Sequence, residues 1–497
     1  MRKQRLAKNT IASLIFQITT VVCGFILPRL ILSHYGSEIN GLVNSNTQFL
    51  GIIAFLELGV GAVVQSSLYK PLATKDDNKV SEIIASANKF FRSLAIILLI
   101  YIAGLFFIYP IIAKQNFGFV YTALLIVAMG ISSFAQYYFG VVDRLLLSAD
   151  QKGYIQYTAQ TITLVLNTFA CFALIKMGSS IHVVKLTTSL IYLIRPIYLR
   201  WYVNQNYNIN KKISYDKEPI KQKWNGVAQH IASVILDGTD NIVLTVFANL
   251  SAVSIYSVYN LVLAGIKQLF LSMTNGFLSL IGELWAKQEL DELRKTFGWT
   301  EWILHTGTIF VFGCTGMLII PFVRVYTEGV NDANYIQPLF AVLITTAHAG
   351  HCLRLPYNIM ILAAGHFKQT QKNYVVAAIM NIVISVIMVW RLGLVGVAIG
   401  TLAAMLYQTI WMAVYNSKKL IRLPIESFIK QIAVDIVSVI LGILCTFKIE
   451  LLHVTYLSWM ILSGEVAIIW LIIIGIVNLI FYKDKIEKLL NKAIKLL

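Results

Sequence analysis

From Ile11 to Phe481 the chain is a succession of apolar runs, about 17 to 25 residues each, separated by short polar or basic segments. A run of that length, wound as a helix rising roughly 1.5 Å per residue, crosses the roughly 30 Å of hydrocarbon in a bilayer. The runs fall near 10–33, 42–66, 93–113, 119–140, 155–176, 181–203, 225–248, 252–280, 303–325, 337–363, 374–390, 393–415, 429–447 and 457–481. The expected fold class is therefore an all-α polytopic membrane protein with about fourteen transmembrane helices. Composition agrees: 57% of the 497 residues are hydrophobic and 13% charged, against roughly 25% charged in soluble domains. The run after MRKQRLAKNT is too long for the core of a secretory signal and has no small-residue cleavage site, so the first span is expected to stay in the protein.

Lys and Arg alternate between the two sets of connecting segments. One set holds Arg2, Lys3, Arg5 and Lys8, then Lys70, Lys75, Lys79, Lys89 and Arg92, then Lys211, Lys212, Lys217, Lys221 and Lys223, and finally Lys483, Lys485, Lys488, Lys492 and Lys495. The other set shows mainly Lys114, Lys176, Lys185, Arg324, Arg391 and Lys448. Basic loops stay on the cytoplasmic side, so a multi-pass protein of the plasma membrane with both termini cytoplasmic is expected. The net charge of +17 is then a topology signal plus attraction to anionic head groups, and nucleic acid is a poor partner for it. Cys23, Cys171, Cys314, Cys352 and Cys445 lie in or beside apolar spans without a CxxC pair and read as small core residues.

Two stretches match residue by residue. NTFACFALIKMGSSIHVVKLTTSLIYL carries Asn167, Lys176, Gly178 and Tyr192; NIVISVIMVWRLGLVGVAIGTLAAMLYQ carries Asn381, Arg391, Gly393 and Tyr407. The base precedes the glycine by two residues and the glycine precedes the tyrosine by fourteen in both. The triplet IAS also stands 24 residues before Tyr35 and 25 before Tyr256. The chain is thus expected to comprise a six-helix bundle over 1–210, a basic cytoplasmic linker over 211–223, a second six-helix bundle over 224–416, and two further helices with a cytoplasmic tail over 417–497. Parallel repeats of this kind are a transporter architecture, with substrate held near the midplane and alternating access by rocking one repeat against the other.

An ionisable side chain within hydrocarbon costs about 2.5 to 3.5 kcal/mol on insertion scales, so such residues are expected to face a cavity or a partner. Arg29 follows Pro28 and either snorkels to the head groups or lines a hydrated cationic vestibule. Glu57 lies in FLELGVG. Asp237 and Asp240, three apart in VILDGTDNIVL, share a helical face and suit a proton or cation site, charge partners for an arginine, or a water-satisfied helix break beside Gly238. Lys267 in VLAGIKQLFL suits a salt bridge or an anionic substrate. His348, His351 and Arg354 are spaced three and three, a slowly drifting polar stripe ending at Pro356. No carboxylate stands near the two histidines in sequence, so no metal is expected, and Arg354, whose guanidinium can grip phosphate oxygens bidentately, is the leading substrate contact. GLVGVAIG reads as close helix packing by small residues rather than a nucleotide loop, and GxxxxGK[ST] is missing. Without ATP hydrolysis, energy would come from an ion gradient (H+ or Na+), the membrane potential or substrate supply, and no cofactor is called for.

The pattern LPRLIL..YG..INGL, then FLELGVGAVVQSSLYKPLA, TDNIVL, RLPYNIMILAAGHFKQTQ and RLGLVGVAIGT resembles the bacterial polysaccharide repeat-unit exporters, the O-antigen and capsule flippases of the multidrug/oligosaccharidyl-lipid/polysaccharide (MOP) superfamily. The resemblance runs over nearly the whole chain. It implies two MATE-like six-helix bundles with a two-helix tail, and a transporter rather than an enzyme. The implied activity is translocation of undecaprenyl-pyrophosphate-linked oligosaccharide from the inner to the outer leaflet, with membrane lipids and polymerase and chain-length proteins of the same pathway as partners. A cationic cavity for the anionic head group falls on Arg29 and Arg354, with Asp240 the matched acidic position; Lys267, His348 and His351 join it on polarity alone. Glu57, Asp237 and Asp240 are the ion-coupling candidates. A cation-coupled multidrug exporter of the same superfamily is the alternative. A polymerase or ligase would want a large external segment, whereas the longest outside loop, near YTEGVNDANYI, has only about a dozen residues. Two repeats already make a complete pathway, so a monomer is expected.

Overall fold

The computed structural model describes residues 2–52, 54–113, 117–210, 213, 219–220, 238–422 and 424–494, and every regular element among them is a helix. They divide into two compact units, Met1–Ser254 and Ile255–Leu497. Ten helices among the described residues are long and apolar enough to cross a bilayer. The four expected spans that drop out do so for separate reasons. The span expected over 42–66 is cut, because helix α1 (Arg2–Gly51) ends at Gly51 and α2 (Ala54–Thr74) starts anew. α7 (Ile181–Asn206) forms but carries Lys185, Arg195 and Arg200. The span over 225–248 lies mostly outside the described residues, which resume with helix α8 at 238–247. The span over 337–363 is broken at Arg354 into α11 (Pro338–Leu353) and α12 (Leu355–Ala363), since the ring of Pro356 disfavours helical continuity there.

In the first unit α1 continues helical through Pro28 and turns at Gly36, whose φ of 84° suits a residue without Cβ. The arm beyond the turn is polar. Ser37, Asn40, Ser45 and Asn46 are all buried; Asn40 Nδ2 donates to Ser254 Oγ (2.7 Å), Tyr109 Oη donates to Ser45 Oγ (2.6 Å), and Ser45 and Thr245 share a hydroxyl hydrogen bond of 2.7 Å. Gly41 lets this arm lie on the Leu250 backbone, where a Cβ would stand 2.6 Å from the carbonyl carbon. An apolar core from α2, α3 (Asp77–Ile112), α5 (Val141–Ala149) and α6 (Gly153–Lys176) includes Leu68, Phe91, Leu98 and Leu146. α4 (Phe119–Ala135) runs into α5 through a single wide π turn, Gln136–Gly140.

The second unit holds α9 (Leu250–Ala286, from Ile255 onward), α10 (Leu290–Tyr326), α11, α12, α13 (Phe367–Leu392), α14 (Leu394–Tyr415), α15 (Glu426–Thr446), α16 (Tyr456–Phe481) and α17 (Lys483–Ile494). Trp470 of α16 is fully buried, and Gly313 of α10 and Gly442 of α15 are bare where its ring lies. The two matched stretches fold alike: α6–α7 and α13–α14 are hairpins, each turning at the glycine two residues past a base, Gly178 (φ 75°) after Lys176 and Gly393 (φ 54°) after Arg391. A second π turn, Asn416–Leu420, follows α14.

Candidate functional site

The break between α11 and α12 gathers most of the expected cationic residues of the second unit. Arg354 stands at the junction, 5% exposed although fully ionised side chains rarely sit so deep. Its Nη2 donates to His351 Nδ1 at 3.1 Å. A guanidinium has only donors, so His351 Nδ1 accepts and the ring is neutral with its proton on Nε2. His348, one turn earlier, directs Nδ1 at the Ile344 carbonyl (3.0 Å). Lys267 of α9 is near enough for its charge to bear on the His351 ring, as the Arg354 guanidinium does. Thus Lys267, His348, His351 and Arg354 form one cluster of basic side chains in the second unit. Such a cluster can hold an anion and offers Arg354 as the bidentate group.

The other expected residues lie in the first unit or beyond the described side chains. Arg29 is half-buried on α1 in the turn before Ile31 and Leu32. Asp240 is buried, 4% exposed, on α8. Asp237 lies outside the described residues, and so does the side chain of Glu57, whose backbone belongs to α2.

Two polar openings in the first unit escaped the sequence reasoning. One narrow cleft is lined by Gln136, Arg144, Gln156, Gln160, Arg195 and their neighbours. There Arg195 Nε donates to Thr163 Oγ1 at 2.6 Å, and its guanidinium lies 3.8 Å from the centre of the Tyr192 ring, a cation–π stack that fixes the fork. The second is a larger groove with Lys89, Arg92, Arg200, Asn88, Asn204 and Asn210 along it. Arg200 is held by both oxygens of the buried Asp143 at 3.2 Å. The signal for the cleft was present as Arg195-Pro196 inside an apolar span, but Arg200, the nearest basic residue in sequence, pairs with Asp143 instead, and only the α4–α5 turn brings Gln136 and Arg144 to it.

The second unit also buries a carboxylate–phenol–imidazole–carboxylate chain. Tyr357 Oη donates to Glu301 Oε1 (2.6 Å) and contacts His305 Nε2 (3.3 Å); His305 Nδ1 meets Asp435 Oδ2 at 2.6 Å, and Gln431 Nε2 donates to Asp435 Oδ1 at 3.0 Å. Glu301 and His305 stand four apart at the start of an apolar run, the helical spacing for one face. Their partners come from α12 and α15, and that pairing has no sequence signature.

No family model matches the chain, and no curated protein matches it by sequence. Solved structures do match in fold. A structure of the lipid II flippase MurJ in an inward-closed conformation aligns with a TM-score of 0.71 at 14% identity, covering 96% of this chain and 99% of that one. An inward-facing multidrug resistance MATE family transporter of the MOP superfamily aligns at 0.63 and 14% identity over 80% of this chain and 94% of that one. The eukaryotic MATE transporter AtDTX14 aligns at 0.59 and 12% identity over 86% and 99%. The all-helical polytopic fold is therefore the one these MOP superfamily transporters share.

Proposed function

We propose that this chain is a membrane transporter that flips undecaprenyl-pyrophosphate-linked oligosaccharide from the inner to the outer leaflet of the bacterial plasma membrane, for capsule, O-antigen or exopolysaccharide assembly, by alternating access. The observation that carries the reading is the extent of the fold likeness. The lipid II flippase structure matches 96% of this chain, whereas the two MATE transporters match 80% and 86%. The buried guanidinium of Arg354, bonded to His351, supports an anionic head group, which it can grip through two oxygens. A pyrophosphate carries roughly two negative charges, and each is worth about 2.3 kcal/mol per 100 mV, so outward transfer from an inside-negative cell is downhill. The polyprenyl tail stays in the bilayer while the glycan passes through the protein.

The test is depletion of the protein in its host with glycan synthesis intact, followed by location of the lipid-linked oligosaccharide by leaflet. Accumulation on the cytoplasmic leaflet is the expected result. Accumulation on the outer leaflet would point to a polymerase or ligase, and altered drug sensitivity without accumulation to an exporter. In rescue experiments Arg354→Lys should restore export poorly, because a lysine keeps the charge and loses the fork.

A further inference from the structure

The chain Glu301–Tyr357–His305–Asp435 is not part of the cationic cluster, and it combines features that a mere helix clamp does not need. All four side chains are buried, His305 completely, Glu301 and Asp435 to 8% and 5% exposure. Tyr357 has one hydroxyl proton, and its 2.6 Å bond to Glu301 uses it. Its 3.3 Å contact with His305 Nε2 is then a hydrogen bond only when that nitrogen carries a proton, and the 2.6 Å contact of Nδ1 with the Asp435 carboxylate needs a proton there too. The arrangement is satisfied throughout with His305 as an imidazolium between two carboxylates. It is satisfied nearly as well with one proton fewer. The phenol then turns its O–H to His305 Nε2, and Glu301 is solvated from outside. For that, Glu301 has an opening: it and Tyr357 line a crevice with Phe297, Asn416, Ser417 and Pro424 that is large enough for a water molecule.

We propose that Glu301, Tyr357, His305 and Asp435 form a proton-binding site that loads and unloads one proton in each transport cycle. This rests on the transporter reading for its use, though not for its existence. Unloading moves the Tyr357 hydroxyl proton to Glu301 as the His305 Nε2 proton moves to Tyr357. Glu301, now a carboxylic acid, gives the proton to water in the crevice, and His305 is left neutral with Nδ1–H on Asp435. Loading reverses each transfer. One proton enters or leaves, and the site changes charge by one.

The groups that surround the site come from four elements. α10 supplies Glu301 and His305, α12 Tyr357, and α15 Asp435, Gln431 and Lys430. On α17, Lys485 Nζ donates to the Gly298 carbonyl at 2.8 Å and lies 4.9 Å from the centre of the Tyr482 ring, which Lys430 approaches to 4.8 Å. Burial pushes the Lys485 ammonium down to about 8, with the Glu301 carboxylate opposing the shift and Lys430 adding to it. Tyr357 packs on Phe297 and Phe428, and its carbonyl accepts from Asn416 Nδ2 of the π turn at 3.0 Å. On α11 and its junction, His348 and His351 bond Ile344 and Arg354 instead. A change of one charge among Glu301, Asp435, Lys430 and Lys485 acts on α15 and α17 together with α10, so protonation can bias how the added helices hold the bundle.

The test uses the purified full-length protein in lipid nanodiscs without substrate, and reads infrared difference bands for carboxyl and imidazole on a pH step from about 5 to about 9. The wild type should lose an imidazolium signal across the step while both carboxyls stay ionised, a change that His305→Gln removes and that Glu301→Gln and the nearly isosteric Tyr357→Phe shift in pH. Unchanged bands in a folded His305→Gln or Tyr357→Phe protein would overturn the proposal and leave a structural clamp. If His305→Gln fails to fold, Tyr357→Phe alone decides. In proteoliposomes with an imposed proton gradient, wild-type movement of lipid-linked oligosaccharide should change about tenfold, and Tyr357→Phe should abolish the dependence. Titration without any movement of that substrate would sink the proposed cargo and keep the proton site; gradient-driven movement with the titration absent would sink the site and keep the cargo.

Discussion

The hairpins α6–α7 and α13–α14 share a sequence frame and a turn, yet their interiors are opposites. In α13–α14 the positions three and seven past the turn glycine are Gly396 and Gly400. A Cβ on Gly396 would stand 2.6 Å from the Met388 carbonyl oxygen, and one on Gly400 would stand 2.8 Å from Ser385 N and 2.9 Å from the Asn381 carbonyl oxygen. The two backbones therefore lie against each other, as small residues allow. In α6–α7 the same positions are Ile181 and Lys185. That hairpin is joined through side chains instead, Asn167 Nδ2 to Tyr192 Oη at 3.4 Å and Cys171 Sγ to Thr188 Oγ1 at 3.5 Å. Ten residues further on the contrast repeats: Arg195 lines the cleft while its counterpart Ile410 is exposed at the molecule's edge. A duplicated hairpin has been closed in one copy and kept open and cationic in the other.

The comparison breaks most sharply at Gly400. Gly400→Leu should cost about 3 kcal/mol or more by overpacking against backbone, seen as loss of the monodisperse species and of the cooperative melt; Lys185→Leu should stay within about 0.5 kcal/mol. Equal losses would mean that the hairpins pack alike. Next in size, Arg195→Gln should lower transport about tenfold, as expected for a charged hydrogen bond of roughly 1.5 kcal/mol or more, at an unchanged melting temperature. Arg195→Lys should fall between, because it keeps charge and loses the Tyr192 stack. A stability loss without a transport loss would make the cleft structural. Gly393→Ala, at φ 54° and ψ −124°, should cost about 1 to 3 kcal/mol of stability, and Gly178→Ala nearer 1 kcal/mol; reversal of that order would show that the turns differ. Smallest, Asn381→Ala removes a 3.1 Å bond to Thr401 and should cost about 0.6 kcal/mol, with Asn167→Ala less, which paired thermal melts can resolve.

Much of the fold was legible because hydrocarbon is an exacting solvent. Apolar length alone announced α3, α4, α6, α9, α10 and α13 to α16, and the base–glycine–tyrosine spacing announced the duplicated hairpin. Local steric rules hid the breaks at Gly51 and Arg354, since both fall inside runs of membrane-spanning length. The stripe of His348, His351 and Arg354 was readable because one helix carries it. Residues from different helices were not: Lys267 reaches that stripe from α9, Gln136 and Arg144 reach Arg195 across a π turn, and Asp435 reaches His305 from 130 residues away. By itself the sequence determined that this chain is a bundle of membrane-length helices, where two of them repeat, and which side chains are too polar for lipid, because insertion depends on one segment at a time. Which of those polar side chains meet was decided only by tertiary packing, because a buried charge takes its partner from whatever helix the packing sets beside it.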